Sequence, residues 1–76
     1  MTELEYIQAL CENIKQLRLS LNIKQVDLAY SIGIEPTNLR RIEAGKTCPT
    51  FKTLCRIASA LNVDVKDLIP LGAPTY

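Results

Sequence analysis

The chain has 76 residues, 47% of them hydrophobic and 22% charged, with a formal net charge of +1. That length suits a single domain over residues 1–76 with one small core, and the apolar content excludes an intrinsically disordered chain. No stretch approaches the roughly 20 apolar residues of a membrane span, and the acidic start, with Glu3 and Glu5, is unlike a signal or transit peptide.

A cytoplasmic protein with no membrane partner is therefore expected. Only Tyr6, Tyr30, Phe51 and Tyr76 are aromatic, so the core must be built from Leu, Ile, Val and Ala. No segment alternates with period two, which points to an all-α bundle.

In chain order, residues 3–20 read as a first helix, with Leu4, Ile7, Leu10, Cys11, Ile14, Leu17 and Leu21 recurring at threes and fours. A loop over residues 20–23 follows, with Asn22 as its turn residue. The second helix begins at Lys24 or Gln25 and runs to Ile32, with Asp27 in its first turn, where a carboxylate favours the helix dipole. Gly33 supplies a left-handed stop without a Cβ penalty.

Pro36 suits the first position of a third helix, where its missing N–H has no partner to lose. That helix should run to about Ala44 and close at Gly45. After a loop over 46–49, Thr50 is placed to cap a fourth helix that buries Phe51, Leu54, Cys55, Ile57, Ala58 and Leu61. Asn62 ends it. Asp64 then caps a fifth, Val65 to Ile69, stopped by Pro70 and Gly72, and residues 70–76 read as a tail. A compact five-helix bundle is expected.

The three cysteines form an odd set with no CxxC spacing, and the chain has no His. A zinc site would need thiols and carboxylates from scattered places, so neither a metal nor a cofactor is expected. Cys11 and Cys55 read as small reduced core residues and Cys48 as a loop thiol. There is no Gly-rich phosphate loop and no nucleophile paired with a base, so an enzyme is not expected. Nor does any small-molecule pocket announce itself.

The window from Gln25 to Ala44 is the most informative. Leu28, Ala29, Ile32, Ile34, Leu39 and Ile42 read as the anchors of two short helices packed across a tight turn. Thr37, Asn38, Arg40 and Arg41 are left on the outward side of the second. A short helix carrying hydroxyl, amide and guanidinium groups, held proud of a small core, suits a DNA major groove. Charge placement agrees. Residues 14–56 hold eight basic side chains against Asp27, Glu35 and Glu43, whereas the flanking segments are both net acidic. Phosphate affinity follows local cations rather than the total.

At this point residues 14–69 resemble the phage-repressor and Cro-type helix-turn-helix domain, the XRE family. The resemblance lies in Ile14, Leu17 and Arg18, in Gln25, Leu28, Ala29, Gly33 and Ile34, and in Leu39, Ile42, Glu43 and Gly45. It continues through Pro49, Leu54, Ile57, Ala58, Leu61, Val63 and Leu68. It implies a lambda-repressor-like five-helix DNA-binding domain, acting as a transcriptional regulator and usually as a homodimeric repressor on a palindromic operator.

It also implies roles for single residues. Gln25 is the phosphate contact at the start of the second helix. Lys24 departs from the Ser or Thr usual at the cap, which weakens capping or adds a phosphate contact. Pro36, Thr37, Asn38, Arg40 and Arg41 form the DNA-facing part of the third helix, although Pro36 stands where the family often has a polar base reader. Arg41 and Thr37, four apart, share a face; Asn38 meets adenine or a phosphate, and Arg40 a phosphate or solvent. Lys46 and Thr47 are backbone contacts, with Lys52 and Arg56 as possible helpers. Arg18 and Glu43 form a structural ion pair between the first and third helices.

The competing reading is an antitoxin or protein-interaction module of the same fold. The short tail favours a stand-alone regulator over one that wraps a toxin. Val65, Leu68, Ile69 and Leu71 offer the apolar surface for a dimer, and the acidic segment Met1–Cys11 is expected to pack on the body or on a second subunit, away from DNA.

Overall fold

Local stereochemistry places the helix ends. The computed structural model of the protein describes residues 2–70. Helix α1 spans Glu3–Ser20, and its first turn is closed by reciprocal bonds between Thr2 and Glu5: Glu5 N–H donates to Thr2 Oγ1 at 3.2 Å and Thr2 N–H to Glu5 Oε1 at 2.8 Å. Asn22, in the left-handed region at φ 56°, turns the chain into α2, Gln25–Ile32.

Helix α2 has Lys24 at its N-cap with no side-chain cap bond, since an ammonium has no lone pair to offer a backbone N–H. Gly33, at φ 76°, stops it, and Ile34 N–H then folds back onto Ala29 O at 3.0 Å. Helix α3, Pro36–Glu43, starts on its proline and ends as Lys46 N–H reaches back to Arg41 O at 3.0 Å. Helix α4, Phe51–Leu61, is capped by Thr50 Oγ1 accepting from Thr53 N–H at 3.2 Å, and closes at Asn62, φ 58°.

Among the described residues the bundle has four α-helices, not the expected five. Val65–Asp67 makes a single 3₁₀ turn, tied by Asp67 N–H to Asp64 O and Leu68 N–H to Val65 O, each 2.9 Å, and by Asp64 N–H to Asp67 Oδ2 at 3.0 Å. Only a handful of residues separate Val63 from Pro70, too few to propagate an α-helix. The tighter turn also delivers Leu68 into the core, where it is fully buried. Of the tail expected over 70–76, residues 71–76, including Leu71, lie outside the described residues.

The core is one cluster drawn from every element: Leu10, Cys11 and Ile14 of α1, Leu28, Ala29 and Ile32 of α2, Leu39 and Ile42 of α3, Leu54, Ile57, Ala58 and Leu61 of α4, and Leu68. Helix α2 packs on both α3 and α4, and α1 lies across α3 and α4. Ala29 is wholly enclosed, which leaves no room for a larger side chain where α2 meets its neighbours. Truncating a buried anchor such as Leu39 to Ala costs about 2–5 kcal/mol, a large share of so small a domain's stability.

The core stripe of α4 is narrower than periodicity predicts. Phe51 is 68% exposed and Cys55 is exposed too. Cys55 is rotated about 100° from Leu54, so it lies on the flank of the stripe, and Phe51 projects past its end. Buried Pro49 precedes it. Leu4 and Leu21, at the two ends of α1, are likewise exposed, and Ile34 is only half-buried.

Candidate nucleic-acid interface

The outer face of α3 is polar because its inner face is spent on the core. Leu39, Ile42 and Glu43 are buried, while Thr37, Asn38, Arg40 and Arg41 are exposed. Pro36 is half-buried at the helix start, and Ala44 and Lys46 follow as the chain leaves. Two basic side chains in the last turn of α3, Arg40 and Arg41, also suit the negative end of the helix dipole.

Except for Lys24 and Pro36, the DNA-contact residues expected from the sequence divide between two depressions. One, an open hollow of about 360 Å³, is lined by Gln25 from α2, Thr37, Arg40 and Arg41 from α3, and Ala44 and Lys46 from the segment after it. It gathers three cations, one hydroxyl and one amide. The other, about 210 Å³, holds Asn38 and Thr47 with Ile34, Ile42, Cys48 and Pro49 against the first turn of α4. Asn38 lies about 60° round the helix axis from Arg41 and opens onto the loop after α3 and the first turn of α4, whereas Arg41 opens towards Gln25 of α2. Lys24 is exposed and lines neither hollow, and Lys52 and Arg56 lie on α4 away from the first.

Within the first hollow, Arg40 Nη2 donates to Thr37 Oγ1 at 3.2 Å. The bond spans one helical turn and leaves the Thr37 hydroxyl proton free to donate outward. Arg41 has no such tie among the described hydrogen bonds, so its guanidinium keeps its planar fork for an incoming acceptor.

Behind the hollow lies an ion pair. Arg18 Nε donates to Glu43 Oε2 at 2.8 Å and Arg18 Nη2 to Glu43 Oε1 at 3.0 Å, with the side chains only 8% and 2% exposed. Arg18 Nη1 donates to Ile23 O at 2.8 Å. This fork ties α1 to α3 and to the turn before α2. Removing one partner alone would strand a buried charge, at about 3–5 kcal/mol.

Gln25 joins this cluster: its Nε2 donates to Glu43 Oε1 at 2.8 Å. Sequence reasoning treats Gln25 only as a phosphate contact and does not find this bond. The two residues stand 18 apart on different helices, and no periodic signal connects them. Ala44 is the other lining residue the sequence does not suggest, since a small apolar side chain carries no chemical signature.

The comparisons with known proteins fit this architecture. Residues 14–68 match the HTH_3 helix-turn-helix family model. The chain is 40% identical over 55 residues to the ImmF control region 10 kDa protein of Bacillus phage phi105, covering 72% of this chain and 61% of that protein. It is 33% identical over 57 residues to the cryptic phage CTXphi transcriptional repressor RstR of Vibrio cholerae, covering 75% of this chain and 51% of that one. The chain therefore spans between half and two thirds of the length of these relatives. Among solved structures it is similar to an HTH_3 family transcriptional regulator from Vibrio cholerae, with a TM-score of 0.81 and 28% identity over 88% of this chain and 38% of that one. With its closely packed helical pair and more than half its length matched, the chain belongs to the HTH_3, or XRE-type, helix-turn-helix family.

Proposed function

We propose that the chain is the DNA-binding unit of a transcriptional regulator, a repressor, that reads the major groove with α3. One observation carries the reading: Gln25, Thr37, Arg40, Arg41 and Lys46 surround a single open hollow on the outer side of the α2–α3 pair. An exposed arginine fork there suits guanine O6 and N7, and Thr37 suits a backbone oxygen with its hydroxyl or a thymine methyl with its own methyl. Gln25, Lys24, Lys46 and Thr47 take phosphate oxygens, with Gln25 placed in the first turn of α2, where backbone N–H groups are free. Asn38 and Pro36 complete the α3 contact surface. The phage control protein and the phage repressor among its relatives support the regulatory role.

The regulator works as a homodimer on a palindromic operator, with two α3 helices about 34 Å apart, one turn of B-DNA. The apolar surface for pairing differs from the sequence expectation. Leu68 is fully buried and belongs to the core, whereas exposed Ile69 forms an apolar groove with Tyr6, Ile7, Leu10 and Pro70. A second copy of the chain fills that groove.

Selection of bound duplexes from a random pool tests the reading. A recovered motif with two symmetric half-sites is expected. On that site, Arg41→Ala should weaken binding by about 1–3 kcal/mol and relax one base position. Lys46→Ala should lower affinity evenly across sequences and flatten the salt dependence. Failure to enrich any duplex would remove DNA binding and leave the protein-interaction module as the reading.

A further inference from the structure

Three donors converge on one carboxylate: Glu43 Oε2 accepts from Arg18 Nε, and Glu43 Oε1 accepts from both Arg18 Nη2 and Gln25 Nε2. Resting on the DNA-binding reading above, we infer that Glu43 is a positioning residue for the backbone contact of Gln25. It holds that side chain in the one orientation that offers a donor to a phosphate.

A carboxylate can only accept, so Gln25 must turn its NH₂ group towards Glu43 and cannot present its carbonyl there. One of the two amide protons is taken by Glu43. The other remains for an outside acceptor at the rim of the hollow that Gln25 shares with Arg41 and Lys46. A glutamine without this tether rotates about three side-chain torsions and must be ordered on binding, which opposes association.

Charge explains the rest of the cluster. A bare carboxylate one side chain away from a DNA phosphate would repel it. Arg18 cancels that charge from inside the protein, in a fork that leaves Glu43 almost wholly enclosed. The same carboxylate joins α1, α2 and α3, so the phosphate contact on α2 and the base-facing side chains of α3 are set against one common reference.

The test is a mutant cycle on the selected duplex that keeps the fold. Replacing a buried ion pair by apolar residues of similar size is often tolerated, so Arg18→Met with Glu43→Leu removes the acceptor while filling its space. In the parent, Gln25→Ala should weaken binding roughly three- to tenfold, the loss of one hydrogen bond, and leave the salt dependence unchanged, because a neutral amide releases no counterion. In the apolar-pair background the affinity should already be lower by a similar factor, and Gln25→Ala should then add less than about twofold. Arg18→Met with Glu43→Gln restores a carbonyl acceptor and should recover part of the loss; a purely structural role for Glu43 predicts no such recovery at equal stability.

Independent, multiplying effects of Gln25→Ala in the two backgrounds would overturn the positioning role while leaving DNA binding standing. A parent protein that binds no duplex would remove both. Should the apolar pair fail to fold, the side-chain amide of Gln25 in the free parent decides. One proton protected from exchange is expected, and two protons exchanging like a free amide would overturn the inference.

Discussion

Cys11 and Cys55 differ in environment by little more than helix phase. Cys11 sits fully enclosed among Leu10, Ile14 and the rest of the core, its Sγ 3.9 Å from Thr47 O. Burial pushes its thiol pKa above the ordinary value, with the nearby Cys48 adding to the effect. Folding thus favours the protonated thiol: its contribution to stability is complete below the unfolded pKa and is lost as pH rises through the raised one. Cys48 and Cys55 are exposed. A thiol reagent such as Ellman's should therefore modify two cysteines quickly in the folded protein and the third only at the rate of opening, with all three fast in denaturant. Three fast thiols under native conditions would contradict the burial of Cys11. A buried Cys11 was legible from its place in the α1 stripe, whereas Cys55, one position beyond Leu54 on α4, reads the same way and is not buried.

At the scale of elements, helix limits are set by neighbours in sequence, and the helix type of a short segment by the core. The Thr2–Glu5 cap of α1 is such a local device, visible as a Thr-x-x-Glu spacing. The Glu5 carboxyl is held below its ordinary pKa chiefly by the backbone N–H of Thr2 and then by the Thr2 hydroxyl. A carboxylate depressed in the folded state contributes fully above its unfolded pKa, and the contribution fades as pH falls through the lowered value. Acidification should therefore fray the first turn of α1 before α2–α4 loosen, seen as faster amide exchange at Glu5 after correction for the intrinsic rate. Thr2→Ala should produce the same fraying at neutral pH. An exchange rate at Glu5 indifferent to both changes would show that the cap is not formed in solution. The missing fifth helix illustrates the other half of the rule: Asp64 and Pro70 were readable as its limits, but burial of Leu68 chose a 3₁₀ turn between them.

For the whole molecule, the proposed pairing makes its own demand. If a second copy covers the Tyr6–Leu10–Ile69 groove, sedimentation should show a dimer at high concentration and on DNA, and Ile69→Asp should shift it to monomer without unfolding it. A monomer in both states would reject the pairing. The sequence by itself determined where α3 and α4 begin and where α2 and α3 stop, because Pro36, Thr50, Gly33 and Gly45 act on backbone torsions and on N–H groups within a few residues. It also determined which side of α3 is polar, because that side follows from a period of 3.6. Only the tertiary structure decided that Gln25 meets Glu43, that Asn38 and Thr47 share a hollow apart from Arg41, and that Phe51 stays in solvent. Those outcomes depend on the crossing of helices far apart in the chain, and no spacing within one helix encodes the distance to another.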